Sequence, residues 1–216
     1  MRKGSRKAFL LGIGFITVFI IWTLMLQAVD AKPIGPNGSV VGFSTINRCF
    51  NDLTGSNMLI YTVTDWMGLI PIFVAFGFAV LGLVQWMKRK SILKVDASLL
   101  VLGGFYITVI ITYLFFEGFV INYRPILING YLEPSYPSST TLLVTCVMPT
   151  AIMQFNDRIH KREIRLAVSS LSVAFVAFMV IARAFCGVHW LTDIVGGAFI
   201  SAGLVLIYYS LTHKAE

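Results

Sequence analysis

The sequence is poor in charged residues: only 12% of its 216 residues are Asp, Glu, Lys or Arg, whereas 57% are hydrophobic. Soluble domains carry about 25% charged residues, and a domain of this length cannot hide so much apolar surface in one core. The composition therefore excludes an ordinary soluble globular protein. We expect the chain to fold in a lipid bilayer.

Cysteine is also scarce, and Cys49, Cys146 and Cys186 lie far apart. Because no CxxC pair or regular spacing is present, neither a disulfide framework nor a cysteine metal site is predicted. The net charge of +7 comes without a basic stripe interleaved with aromatic residues. Nucleic acid is therefore not an expected partner. There is no internal repeat and no low-complexity tract.

Six apolar stretches come close to the roughly 20 residues that a helix needs to cross about 30 Å of hydrocarbon. They predict an all-α fold, with six transmembrane helices in one bundle and a single integral membrane domain over residues 1–216. The first stretch is expected to remain as an anchor, since it is too long for a signal peptide and no cleavage site follows it. The predicted spans are 8–29, 67–87, 97–116, 140–155, 166–185 and 192–211.

The distribution of Lys and Arg predicts an orientation with both termini in the cytoplasm. With six alternating spans, 13 of the 17 basic residues fall on the cytoplasmic side. These are Arg2, Lys3, Arg6, Lys7, Lys88, Arg89, Lys90, Lys94, Arg158, Lys161, Arg162, Arg165 and Lys214. Of the four basic residues on the outer side, Arg124 and Arg183 lie in apolar surroundings. The membrane orientation does not account for a charge at these two positions.

The two longer outer segments differ in composition. Residues 30–66 are polar and rich in turn-forming residues, which predicts a loop that includes a short interfacial helix. Residues 117–139 mix apolar side chains with Arg124, Pro125, Pro134 and Pro137. We expect this second segment to fold back among the helices.

Three polar clusters, residues 122–125, 136–141 and 182–193, reach the outer face. They predict a common site. Arg124 and Arg183 supply guanidinium groups, which grip tetrahedral anions by paired hydrogen bonds. Residues 137–140, Pro-Ser-Ser-Thr, place hydroxyls and free backbone N–H groups at a helix start, where anions bind. His189 and Asp193 are four residues apart and would share one face of a continuous helix, so the carboxylate can orient the imidazole.

Each cluster also has a structural reading that involves no ligand. Residues 137–140 can be a simple helix start, Arg183 can reach the headgroups, and His189 can belong to an interfacial aromatic belt. Their coincidence favours the anion site. Glu117 can be an interfacial carboxylate, but we favour an ion pair with Arg124.

These clusters resemble the motifs of the type 2 phosphatidic acid phosphatase superfamily. The first family motif is Lys, six residues and Arg-Pro; Arg124 and Pro125 match, while Glu117 occupies the lysine position. The second motif, Pro-Ser-Gly-His, corresponds to residues 137–140, with Thr140 at the histidine position.

The third motif is the most specific: Ser-Arg, five residues, His, three residues, Asp. Here it is Ala182-Arg183, His189 and Asp193, with both gaps correct. The resemblance covers about residues 60–212.

The resemblance implies phosphoryl transfer without a metal or other cofactor. His189 is expected to attack phosphorus and form a phosphohistidine, and Asp193 to orient His189. The expected phosphate ligands are Arg124, Arg183, Ser138 and Ser139. Thr140 occupies the position of the general acid, which it cannot replace near neutral pH.

The absence of this acid leaves two alternatives. The chain can cleave a lipid diphosphate slowly, because phosphate leaves without protonation, or Thr140 can be an engineered replacement that retains binding but stops turnover. Phosphatidic acid, phosphatidylglycerol phosphate and undecaprenyl pyrophosphate all remain candidate substrates, taken from the outer leaflet of a bacterial plasma membrane. A non-catalytic lipid-phosphate-binding protein and a small transporter are the competing functions, and the oligomeric state is left open.

Overall fold

A computed structural model describes residues 3–213, except for the side chain of Lys3. Arg2 and Lys214, two of the basic residues predicted to be cytoplasmic, lie outside this range. The described chain is all-helical apart from its loops, which confirms the predicted fold class. Its α-helices are α1 (Lys3–Ala28), α2 (Ser44–Thr54), α3 (Met58–Met67), α4 (Leu69–Arg89), α5 (Ala97–Gly118), α6 (Ser139–Arg158), α7 (Arg162–Phe185) and α8 (Leu191–Thr212).

Five segments of the described chain are long and apolar enough to cross a membrane. They are Gly4–Ala28, Met58–Arg89, Ala97–Gly118, Arg162–Phe185 and Leu191–Thr212. The second is longer than predicted, because α3 precedes α4 with only a break at Gly68. The predicted loop over residues 30–66 is therefore helical from Met58 onward, and α2 is a further short helix within it.

The remaining predicted span, residues 140–155, is helix α6 and lies at the centre of the bundle. It packs against α4, α5, α7 and α8, and half of its residues are buried. Neighbouring helices shield its polar side chains from lipid, among them Thr141, Thr150 and Gln154. Its moderate hydropathy is thus compatible with a position inside the bundle, and it continues through Pro149 to Arg158.

Helices α1 and α8 form the most extensive helix pair. Gly203 allows their close approach: a Cβ atom there would lie 2.7 Å from Ile16 Cδ1 and 3.1 Å from the carbonyl oxygen of Gly12. Small residues at such crossings let membrane helices pack backbone to backbone. The pairing holds α8, which begins beside the site, against the first helix.

Both ends of the described chain lie at the same end of the bundle, since the Ser5 hydroxyl donates to the carbonyl of Ser210 at 2.7 Å. The α4–α5 turn lies there as well, where Arg89 contacts Asp96 at 2.8 Å and Arg158 lies 3.8 Å from the same carboxylate. The even number of crossings predicted from the sequence agrees with this arrangement. The opposite end carries the three polar clusters.

The segment between α5 and α6 folds back as an irregular hairpin. Its two arms are joined by hydrogen bonds from Arg124 N to the carbonyl of Glu133 and from Ser135 N to the carbonyl of Asn122. Both Asn122 and Ser135 are buried. The prediction that this segment packs among the helices is therefore correct, and it delivers Arg124 and Ser135 to the site.

Candidate active site

The loop between α7 and α8 carries His189 and is anchored on two sides. The φ angle of Gly187 is +67°, and a Cβ atom there would collide with the carbonyl group of Gly55. On the other side, the indole N–H of Trp190 donates to the carbonyl of Tyr123 at 2.8 Å. His189 thus precedes α8, so the expectation that it shares a continuous helix with Asp193 is wrong.

Ser135 lies between His189 and Asp193. Its hydroxyl is 2.5 Å from Asp193 Oδ2 and 3.0 Å from His189 Nδ1, whereas Nδ1 and Oδ2 are 4.0 Å apart. Asp193 also accepts hydrogen bonds from the Asn122 side chain and from the backbone N–H of Trp190, both at 3.0 Å. The predicted link between the carboxylate and the imidazole therefore runs through a serine hydroxyl.

These contacts define the tautomer of His189. Nδ1 lies 3.1 Å from the carbonyl oxygen of Ser135, which can only accept, so Nδ1 carries the proton. Nε2 is then the unprotonated nitrogen, and it has no hydrogen-bond partner among residues 3–213. Burial, with the nearby charges of Arg124 and Arg183, lowers the pKa of His189 well below its usual value. The ring is thus neutral at physiological pH and has a free lone pair.

Arg183, near the end of α7, is only 2% exposed. One of its terminal nitrogens, Nη2, donates to Asp65 at 2.9 Å and to Thr140 Oγ1 at 2.6 Å. Within the described chain, its Nε and Nη1 have no hydrogen-bond partner. A buried guanidinium with two unused donors is suited to bind an anion.

Arg124 pairs with Glu133, whose Oε2 lies 3.1 Å from its Nε. The predicted ion pair with Glu117 is wrong, because the hairpin places Glu133 directly beside Arg124. The Nη1 atom of Arg124 has no hydrogen-bond partner in the part of the chain that is described. The two arginines meet on Tyr61: the Cζ atoms of Arg124 and Arg183 lie 5.8 Å and 5.0 Å from its ring centroid.

The three residues predicted at the start of α6 have different environments. Ser138 is the helix N-cap, and its hydroxyl accepts from the backbone N–H and the hydroxyl of Thr141. Ser139 faces the cavity beside His189. Thr140 is buried and accepts the hydrogen bond from Arg183. Of the two serines predicted to bind phosphate, Ser138 is thus already engaged in capping its helix.

A cavity of about 270 Å³ lies at this end of the bundle. Arg124, Ser139 and His189 line it, together with Glu117 and Glu133. It brings a free imidazole nitrogen and an incompletely paired guanidinium together, and Arg183 lies on the same Tyr61 ring as Arg124. This combination can bind a tetrahedral anion and present a nucleophile to it. Residues 3–213 contain no cluster of three or more His, Cys, Asp or Glu side chains able to hold a metal ion.

Sequence reasoning gave no role to five residues that contact the site residues, although it placed Asn122 in the first polar cluster. Asn122 and Ser135 are short polar residues in a loop, and only the hairpin brings them to Asp193. Their positions next to the first and second motifs were the available signal. The five are Tyr61, Asp65, Asn122, Glu133 and Ser135.

The family model of the PAP2 superfamily matches residues 97–216, which is more than half of the chain. The fold is similar to a crystal structure described as the first transmembrane PAP2 type phosphatidylglycerolphosphate phosphatase from Bacillus subtilis. The TM-score is 0.64, and the match covers 95% of this chain and 97% of that chain at 17% identity. No curated protein matches the sequence.

The fold, with its several long apolar helices, is that of a multi-pass membrane protein. The chain belongs to the PAP2 superfamily, as its three motifs indicated. At 17% identity, the likeness to the Bacillus subtilis structure shows the shared fold.

Proposed function

We propose that this protein is a membrane lipid phosphatase or diphosphatase that uses His189 as its nucleophile. One observation carries the proposal: Nε2 of His189 and the Nη1 atoms of Arg124 and Arg183 have no hydrogen-bond partner within the described chain. His189 and Arg124 line one cavity, and Arg183 lies on the same Tyr61 ring as Arg124. Unpaired buried polar groups are costly, and a phosphate group would satisfy all three.

In the proposed reaction, the Nε2 lone pair of His189 attacks phosphorus and the bond to the leaving oxygen breaks. Arg124 and Arg183 bind the equatorial phosphoryl oxygens, where negative charge accumulates in the transition state. Ser139 and the backbone N–H groups at the start of α6 complete the anion site. Water then attacks the phosphohistidine, releasing phosphate and restoring the imidazole.

Asp193 acts through Ser135. As Nε2 bonds to phosphorus, the imidazole becomes positively charged. The carboxylate stabilises this charge through the hydroxyl between them, at 2.5 Å from Oδ2 and 3.0 Å from Nδ1. The same contacts keep Nδ1 protonated, so the nucleophilic nitrogen always faces the cavity.

The location follows from the distribution of charge. Because Ser5 and Ser210 meet at the end of the bundle that carries Arg89 and Arg158, we infer that the termini are cytoplasmic. The cavity then opens near the outer headgroups of the plasma membrane. A substrate from the outer leaflet can then present its phosphate to Arg124 while its tail stays in lipid. The candidates remain phosphatidic acid, phosphatidylglycerol phosphate and a polyprenyl diphosphate.

The test is phosphate release from these three lipids by the protein purified in detergent micelles, with EDTA present. We expect release from at least one lipid and a faster rate after Thr140→His. His189→Asn is the matched control, since it keeps a polar side chain but lacks the nucleophile. If all three lipids bind but the native protein and Thr140→His release nothing, the enzyme proposal fails.

A non-catalytic lipid-phosphate-binding protein is the second candidate, and Thr140 is the observation that favours it. Its hydroxyl accepts from Arg183 at 2.6 Å and provides no acid. Such a protein would bind a lipid phosphate through both arginines and would not need His189. Lipid affinity that is unchanged in His189→Asn, without phosphate release by the native protein, would support this function.

A further inference from the structure

Cleavage of a lipid monoester requires a proton for the leaving oxygen, because an alkoxide is a poor leaving group. Thr140 does not supply it, since an aliphatic hydroxyl holds its proton at neutral pH. The Thr140 oxygen also accepts from Arg183 at 2.6 Å, which fixes its orientation. If the proposed function is correct, another group in the cavity must provide the proton.

Few cavity groups can transfer a proton. His189 is the nucleophile, and Tyr113 offers only a phenol, which is a far weaker acid than a carboxyl group. Glu133 already pairs with Arg124 at 3.1 Å, so proton transfer through Glu133 would break that ion pair. The remaining carboxyl group in the cavity lining is Glu117.

Glu117 lies in the last turn of α5, and its exposed side chain lines the cavity, which places it at the cavity's rim. It forms no ion pair within the described range, and the neighbouring Phe115 and Phe119 are 51% and 65% exposed. His189, in contrast, lines the same cavity but is buried. Since the leaving oxygen carries the lipid tail, it must point towards the rim, opposite the nucleophile.

We propose that Glu117 is the general acid for lipid phosphate monoesters and replaces the side chain that is missing at position 140; this rests on the proposed function. The substrate supplies the proton, because a phosphate monoester has a second pKa of about 6 and its monoanion donates to the carboxylate. Then the Nε2–P bond forms, the P–O bond to the lipid breaks, and the Glu117 proton passes to the leaving oxygen.

The second half-reaction restores both groups. A water molecule attacks phosphorus, the Glu117 carboxylate takes one of its protons, and the P–N bond breaks. The electron pair of that bond returns to Nε2 of His189. Glu117 then releases its proton to solvent, so the next cycle again begins with a carboxylate. The products are an alcohol and phosphate.

The test compares Glu117→Gln with the native protein on two substrates without metal: a long-chain alkyl phosphate and 4-nitrophenyl phosphate. The nitrophenolate leaves readily without an acid, whereas the alkoxide does not. We expect kcat/KM for the alkyl phosphate to fall by about 10²-fold or more, with little change for 4-nitrophenyl phosphate. Glu163→Gln, an exposed carboxyl in the first turn of α7, is the matched control and is expected to change neither rate.

Rescue provides a second readout: Thr140→His in the Glu117→Gln background is expected to restore alkyl phosphate cleavage. Equal losses on both substrates, or no loss on either, would overturn the proposal. So would a native protein that cleaves 4-nitrophenyl phosphate and the polyprenyl diphosphate but no phosphate monoester of an alcohol, because it would have no acid. The proposed lipid diphosphatase would still stand in that case. If the native protein cleaves neither these substrates nor any lipid of the panel, the proposed function itself fails.

The native protein alone provides a test that does not depend on the folding of a variant. Its rates can be measured across a series of aryl and alkyl phosphates of increasing leaving-group basicity. A shallow dependence is expected, because protonation compensates for the poorer leaving groups. A steep fall would contradict an acid at Glu117.

Discussion

Removing the Ser135 hydroxyl should slow formation of the phosphohistidine without unfolding the protein. In Ser135→Ala, the imidazole loses its only link to the carboxylate, since Nδ1 and Asp193 Oδ2 are 4.0 Å apart. Asp193 keeps its hydrogen bonds from Asn122 and Trp190, and Nδ1 keeps the carbonyl of Ser135. The fold and the tautomer are therefore retained.

The magnitude follows from the hydrogen bond that is lost. A hydrogen bond to a charged group is worth about 1.5–3 kcal/mol, and 1.4 kcal/mol corresponds to about a tenfold change in rate. We therefore expect phosphoenzyme formation to slow by about 10- to 100-fold. The assay is a rapid-quench measurement of protein-bound ³²P, with single turnover separating this step from product release.

The matched control is Ser201→Ala, which removes another buried hydroxyl. Ser201 donates within α8 to the carbonyl of Gly197 and does not contact the cavity. Its phosphoenzyme rate should match that of the native protein. If Ser135→Ala reacts at the native rate, or if Ser201→Ala is equally slow, the positioning role of Ser135 is wrong.

Three further predictions concern Arg183, His189 and the α1–α8 packing. Arg183→Lys should lower kcat/KM by about 10- to 100-fold, because an ammonium group cannot keep the contacts with Asp65 and Thr140 and also bind phosphate through paired hydrogen bonds. An unchanged kcat/KM would show that Arg183 does not bind the phosphate. Because burial lowers the pKa of His189 in the folded protein, the nucleophile stays unprotonated as the pH falls, and the acid-side fall of kcat/KM should occur below about pH 6.5. A fall of kcat/KM that begins above this pH would contradict the burial argument. Gly203→Ala should destabilise the protein by about 1–3 kcal/mol through overpacking, seen as a lower Tm in detergent, whereas Gly104→Ala, which has open space, should not.

Much of the helical architecture could be predicted from hydropathy and from the distribution of Lys and Arg. The lipid-facing spans appear as long apolar runs, because polar side chains are costly in the hydrocarbon core of the bilayer. The bounds of helix α6 were difficult to predict from hydropathy. A helix surrounded by other helices tolerates polar residues such as Thr141, Thr150 and Gln154, which lower its hydropathy. The extension of the second span through α3 was missed because the polar residues 54–57 precede it and Asp65 lies within it.

The site could be predicted only where residues belong to a spaced motif. Arg124, Arg183 and His189 were found because ionisable side chains are costly in apolar surroundings and their spacing matches a family motif. Ser135 and Glu133 depend on the pairing of the two arms of the hairpin, and a single sequence does not reveal this pairing. The replacement of Glu117 by Glu133 as the partner of Arg124 has the same origin.

The central claim is that His189 carries the phosphoryl group, and trapping that intermediate tests it most directly. The protein is mixed with a ³²P-labelled lipid phosphate or diphosphate in EDTA and quenched, and the bound label is located by peptide mapping. We predict label that is stable to base and labile to acid, on His189 in the native protein and absent from His189→Asn. Phosphate release without labelled protein, or label that persists in His189→Asn, would contradict the account.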